Sequence, residues 1–117
     1  MFTKSFGNYG EDLVKKYCET DLNYKILYTN YICGAMGEID IVAKEGETLV
    51  FIEVKSRNDD RFMPLYETIN KRKKDALIRA ANYFITANHF NNRTFRIDLA
   101  TYDKEKNKIN YYRNILD

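Results

Sequence analysis

Residues 37 to 57 set acids and an amine into two short apolar runs, Gly37-Glu38-Ile39-Asp40-Ile41-Val42-Ala43-Lys44 and Leu49-Val50-Phe51-Ile52-Glu53-Val54-Lys55-Ser56-Arg57, around Glu45-Gly46-Glu47. The alternation and the central glycine predict a β-hairpin. Strand residues of equal parity share a face, so Glu38, Asp40, Val42 and Lys44 are expected opposite Ile39, Ile41 and Ala43. In the second strand Leu49, Phe51, Glu53 and Lys55 share one face, and Val50, Ile52 and Val54 the other. With residues 45 to 48 as the connection, Lys44 pairs with Leu49, Asp40 with Glu53 and Glu38 with Lys55. A two-residue turn would shift the pairing and keep the faces. Both arrangements gather three carboxylates and one ammonium.

Leu49-Val50-Phe51-Ile52 is apolar on both faces, as in a covered central strand, yet its continuation puts Glu53 and Lys55 on a core face. Two carboxylates roughly 5 Å apart repel by a few kcal/mol at an effective dielectric near 20, which raises a pKa unless a cation neutralises them. Lys55 offsets part of this, and a divalent ion would offset the rest. Oxygen ligands select magnesium or manganese, held through one or two carboxylates plus substrate phosphate. The matching chemistry is phosphodiester hydrolysis, with Asp40 and Glu53 on the metal and Lys55 at the attacking water. The same residues also fit a cross-strand salt-bridge ladder on a solvated face, and the spacing does not choose between the two.

The elements that must position these groups follow from periodicity. Gly10-Glu11-Asp12 opens a run with Leu13, Val14, Tyr17 and Cys18 at helical spacing, predicting a first helix of about three turns with Asn8 as N-cap. Residues 24 to 33 predict a strand, and Gly34, Ala35 and Gly37 a turn. After a polar loop through Asn58, Asp59, Asp60 and Pro64, residues 69 to about 88 carry Ile69, Ala76, Leu77, Ala80, Ala81, Tyr83 and Phe84 on a helical pattern. Asn91-Asn92 breaks it, residues 94 to 102 alternate as a strand, and residues 109 to 112 form a short edge strand. The order α-β-β-β-α-β-β predicts an α/β fold, a mixed sheet flanked by helices, rather than a doubly wound one.

The 117 residues suit one domain spanning 1–117. With 44% hydrophobic and 31% charged residues and a single proline, disorder is excluded. Cys18 and Cys33 lack any zinc spacing, and buried free thiols are expected. No signal-like segment or long apolar run is present, so the expected setting is soluble, cytoplasmic and off the membrane. Seven basic against eleven acidic residues make residues 1–60 net −4, while eight against two make residues 61–96 net +6. Lys71-Arg72-Lys73-Lys74, with Arg79, opens the second helix, where free backbone donors favour phosphate; an exposed basic turn is the plainer alternative. Glu38 is read as a supporting acid or as the partner of Lys55, and Tyr31 or Tyr66 as a platform for an unpaired base. His89, the single histidine, excludes multi-histidine metal centres and reads as a loop or helix-end residue.

Gly10-Glu11, the Gly37-to-Ala43 run, Phe51-Ile52-Glu53-Val54-Lys55-Ser56-Arg57, Lys73 with Leu77, Ala80-Ala81-x-Tyr83-Phe84 and Phe95-Arg96-Ile97-Asp98 together resemble the YraN-like family. That family is placed in the restriction-endonuclease-like PD-(D/E)xK nuclease superfamily and is similar to archaeal Holliday-junction resolvases. The resemblance implies a magnesium- or manganese-dependent endonuclease acting on structured or branched DNA, and, as for resolvases, a possible homodimer. By position it implies Asp40 as the metal aspartate, Glu53 and Lys55 as the E-x-K pair, and Glu11 as the first-helix glutamate. It further implies the Val54 carbonyl as a metal ligand and Lys73 as a supporting second-helix residue; beside such an acidic site, Lys71, Arg72, Lys73 and Lys74 of the basic cluster, with Arg57, are expected to contact nucleic acid. A non-cleaving nucleic-acid-binding module in a repair or uptake assembly is the alternative. The chain departs from the pattern at Ile32-Cys33-Gly34-Ala35-Met36, where relatives carry an arginine, and at Met63, where a glycine is common.

Overall fold

A computed structural model, which describes residues 2–57, 69–90 and 94–116, has the order α1 (Phe2–Thr20), β1 (Lys25–Ile32), a 3-10 turn (Gly34–Met36), β2 (Glu38–Glu45), β3 (Thr48–Arg57), α2 (Lys71–Ala87), β4 (Thr94–Asp103) and β5 (Lys108–Tyr112). The expected polar loop at 58 to 64, Met63, Tyr66 and Asn91-Asn92 lie outside the described residues. The strands form one sheet in the order β1-β2-β3-β4-β5. β3 and β4 run parallel across α2, and the other neighbours are antiparallel.

β3 is central because its apolar run needs cover on both sides: Leu49, Val50, Phe51 and Ile52 are at most 1% exposed. Leu49 and Phe51 pack with Leu77, Ala80, Ala81 and Phe84, the one-sided stripe of α2. Val50 and Ile52 pack with Val14 and Cys18 of α1. The helices therefore cover opposite faces, as the sequence predicts. Each fully buried side chain of the Leu or Phe class contributes about 1.5–3 kcal/mol, which makes this double cover the main source of cohesion. Both cysteines are free and buried, in agreement with the sequence, and burial pushes the Cys18 thiol up to about 12.

Two predicted boundaries move. α1 begins at Phe2 rather than behind Asn8, so Gly10 and Glu11 lie inside a helix of 19 residues. At that depth Glu11 gains nothing from the helix macrodipole, which acts only within the first turn. At α2, Asn70 is the N-cap, its side chain accepting from the Lys73 N–H at 2.9 Å, which sets the start two residues later than expected.

The hairpin keeps the expected Lys44↔Leu49 pair and adds Glu45↔Thr48, so the turn itself is Gly46-Glu47, with Gly46 at φ +60. Strict alternation holds along β3 but fails in β1 and β2. Ile39 shares a core with Val42, three residues away, while Ile41 packs on the opposite side with Ala43. In β1, Tyr28 and Tyr31 both meet the Phe84 ring, at 5.5 and 4.9 Å. The two strands change face together between Thr29↔Ile41 and Tyr31↔Ile39, where Asn30 takes φ +52. Ile39 thus leaves the face predicted for it. Asp40 lies at the crossing.

A buried polar cluster ties the far strands to the α1 side. Asp98, fully buried, accepts from Arg96 Nε at 3.0 Å, from the Asn114 N–H at 2.8 Å and from the Tyr111 hydroxyl. Arg96 also donates to Glu45 at 2.7 Å and to the Tyr24 hydroxyl. Among the described residues no buried side-chain nitrogen or oxygen is left without a hydrogen-bond partner, which is what an interior charge requires.

Candidate active site

The face change brings Asp40 to the middle of β3. Its Oδ2 accepts the Val54 N–H at 2.8 Å, taking an acceptor's place where the β2–β3 ladder ends at Ile41↔Ile52. The expected backbone pairing of Asp40 with Glu53 is replaced by this side-chain bond. Glu53 points to the α2 side and is 6% exposed. Its Oε2 lies 3.8 Å from Lys55 Nζ on the same strand and 3.4 Å from Lys73 Nζ, which descends from the first turn of α2.

The acids act on one another. Burial and then the Glu53 charge push the Asp40 carboxyl up to about 7, against the opposing pull of the Val54 N–H; Glu11 and Glu38 add smaller pushes in the same direction. Asp40 and Glu53 form the centre, and Glu11 and Glu38 act on it only through their charge. Glu11 is set by α1: Gly10 lets the helix approach β3 so closely that a Cβ there would lie 2.1 Å from Ser56 Oγ. From this position Glu11 Oε1 accepts from Asn30 Nδ2 at 2.8 Å. Glu38 is exposed at the start of β2. Its expected partner, Lys55, forms its ion pair with Glu53.

The basic cluster divides. Lys73 belongs to the acidic centre, whereas Lys71, 87% exposed, pairs with Asp75 at 3.0 Å along the helix. Arg72 is exposed and Lys74 half-buried. No acid occupies the first turn of α2, so four bases stand at the positive end of its dipole. Each such placement costs a few tenths of a kcal/mol that a bound anion would recover. Arg57 closes β3 opposite Asp103. Tyr31 is not a free platform: it packs on Phe84 and its hydroxyl accepts from Asn88 Nδ2 at 3.0 Å. His89 sits at the helix end with φ +58, as expected.

Among the described residues no three His, Cys, Asp or Glu side chains are gathered into a metal cage. A hard ion would rest on Asp40 and Glu53, which fits magnesium, since that ion keeps most of its waters and recruits phosphate oxygens. Two neighbouring carboxylates are the donor chemistry such an ion takes, with Lys55 and Lys73 standing against one of them. Sequence reasoning missed Asn30. Its only signal is an asparagine, the non-glycine residue most at ease at positive φ, in a run otherwise rich in Tyr, Ile and Thr. It also left Arg96 and Asp98 without a role; charges two apart in an apolar strand share a face and pair when buried.

A five-stranded mixed sheet between two helices, with an acid from β2 and an E-x-K pair on β3 at its centre, is the restriction-endonuclease-like α/β architecture. The model of the uncharacterised protein family UPF0102 matches residues 10–101, and the chain belongs to that family. It is 39% identical over 119 residues to a UPF0102 protein of Carboxydothermus hydrogenoformans, covering 100% of this chain and 99% of the relative. A Clostridium perfringens UPF0102 protein is 42% identical over 98 residues, covering 84% and 79%. One from Alkaliphilus metalliredigens is 37% identical over 114 residues, covering 96% and 97%. No helix among the described residues is long and apolar enough to cross a membrane.

Proposed function

We propose that this UPF0102 protein is a magnesium- or manganese-dependent endonuclease that hydrolyses phosphodiester bonds in structured or branched DNA. The observation that carries the reading is the convergence of Asp40 and Glu53, with Asp40's carboxyl pushed up by burial and then by its neighbour, and two lysines held against Glu53. Asp40 and Glu53, with the Val54 carbonyl, would hold the ion. The chemistry a divalent ion supplies when bound is charge neutralisation at phosphate and acidification of water. Lys55, half-exposed beside Glu53, orients the attacking water and faces the charge that develops on the phosphate. Lys73 holds Glu53 in place from the opposite side, and its ammonium adds a second positive charge for the scissile phosphate. Arg72 and Lys74, with the unopposed N-terminus of α2, track the flanking backbone. Pairing of two chains, as in resolvases, would suit a branched substrate with two strands to cut.

One observation favours a second reading, a non-cleaving nucleic-acid-binding module. Glu53 is already countered by Lys55 and Lys73, so the centre has a neutralised form without metal. Purified protein incubated with branched, single-stranded and duplex DNA plus magnesium or manganese separates the two readings. Metal-dependent cleavage lost in Glu53→Ala and Lys55→Ala supports the enzyme. Retained DNA binding with no cleavage under either metal supports the module.

A further inference from the structure

We infer that Asn30 is a positioning residue for the candidate metal centre, holding Glu11 of the first helix toward Asp40. The inference rests on the metal-centre reading proposed above.

Asn30 does two things at one place. Its backbone, at φ +52, lies where β1 and β2 change face, and that change delivers Asp40 to the Val54 N–H. Its side chain donates from Nδ2 to Glu11 Oε1 at 2.8 Å, spanning 19 residues of sequence. Asn30 stands between the pairs Thr29↔Ile41 and Tyr31↔Ile39, across from Asp40, so its bond draws Glu11 to the Asp40 position of β2. The neighbouring Tyr28 and Tyr31 turn instead to Phe84. A half-buried glutamate on a helix has several rotamers open to it. A fixed donor on one carboxylate oxygen selects among them and leaves the other oxygen for water or a cation. This is the outer-shell role that commonly alters metal affinity 10- to 100-fold when it is removed.

The side-chain and backbone roles can be separated. Asn30→Gly keeps the positive φ and removes the donor, whereas Asn30→Ala removes the donor and strains the backbone. Mn2+ binding is measured by calorimetry or by water-proton relaxation on wild type, Asn30→Gly, Glu11→Ala and the double variant, with circular dichroism to confirm folding. The expected result is about tenfold weaker Mn2+ binding in Asn30→Gly. The double variant should bind no more weakly than Glu11→Ala alone, because the donor acts only through that carboxylate. Wild-type affinity in Asn30→Gly, or a further loss when it is added to Glu11→Ala, overturns the role of Asn30 and leaves the metal centre standing. Absence of Mn2+ binding by the wild type overturns the metal centre itself, and this inference with it.

Discussion

Replacing Asp40 with asparagine should stabilise the protein above neutral pH and do almost nothing to its stability in acid. The Asp40 carboxyl is carried from an ordinary 3.8 to about 7 by burial and by Glu53. At about 1.4 kcal/mol for each tenfold in proton affinity, that difference corresponds to about 4 kcal/mol. The folded state holds this proton more tightly than the unfolded chain. Stability from this group is therefore full below pH about 4 and is lost as the pH rises through about 7. Asparagine is neutral throughout, and its side-chain carbonyl still accepts the Val54 N–H. Urea unfolding of both proteins, from pH 4 to pH 8 without divalent ions, should give a stability difference near zero at the acid end. The variant should lead by about 2–4 kcal/mol at the alkaline end. Millimolar magnesium should narrow that lead by stabilising only the wild type, by about 1.4 kcal/mol at ten times its dissociation constant. A difference independent of pH, or a variant less stable than wild type at pH 8, would refute the reasoning.

Gly10→Ala places a Cβ 2.1 Å from Ser56 Oγ but at 3.4 Å, an ordinary contact, from Ser56 Cβ. In a Ser56→Ala background the substitution should stabilise by about 1 kcal/mol, the usual gain in a helix interior, whereas beside the native serine that gain should vanish; additive effects in a double-mutant cycle would contradict the close approach. Tyr111→Phe removes one donor from the buried Asp98 and should cost about 1–3 kcal/mol in chemical denaturation. Its Mn2+ affinity should match the wild type, since the cluster packs on the α1 face and Glu53 on the α2 face; an altered affinity would show that the two are coupled.

Much of this was legible from residue type and period. Leu49 to Ile52 announce a strand covered twice, and their continuation into Glu53 and Lys55 marks a break in that cover that only a charged partner explains. The stripe of Leu77, Ala80, Ala81 and Phe84 fixes which face of α2 is inward. Other features depend on contacts between distant segments. Ile39 was placed by alternation, but alternation assumes an unbroken strand, and β2 changes face between Ile39 and Ile41, beside Asn30 at φ +52 in β1. The start of α1 was hidden by Gly7-Asn8, a turn-like pair; Phe2, Phe6, Tyr9 and Leu13 at four, three and four residues carry the helical period across it. By residue type Lys73 is one of four similar bases, and only the resemblance singles it out as a supporting residue. In the structure its reach to Glu53 separates it from Lys71, which pairs along the helix with Asp75.

The central claim is that Asp40, Glu53 and Lys55 form one hydrolytic centre, and the most direct measurement is cleavage of a labelled branched DNA with manganese at neutral pH. The account predicts discrete products from the wild type, none when the metal is chelated, and none from Glu53→Ala or Lys55→Ala proteins that still fold. Products of equal yield from either variant would contradict it.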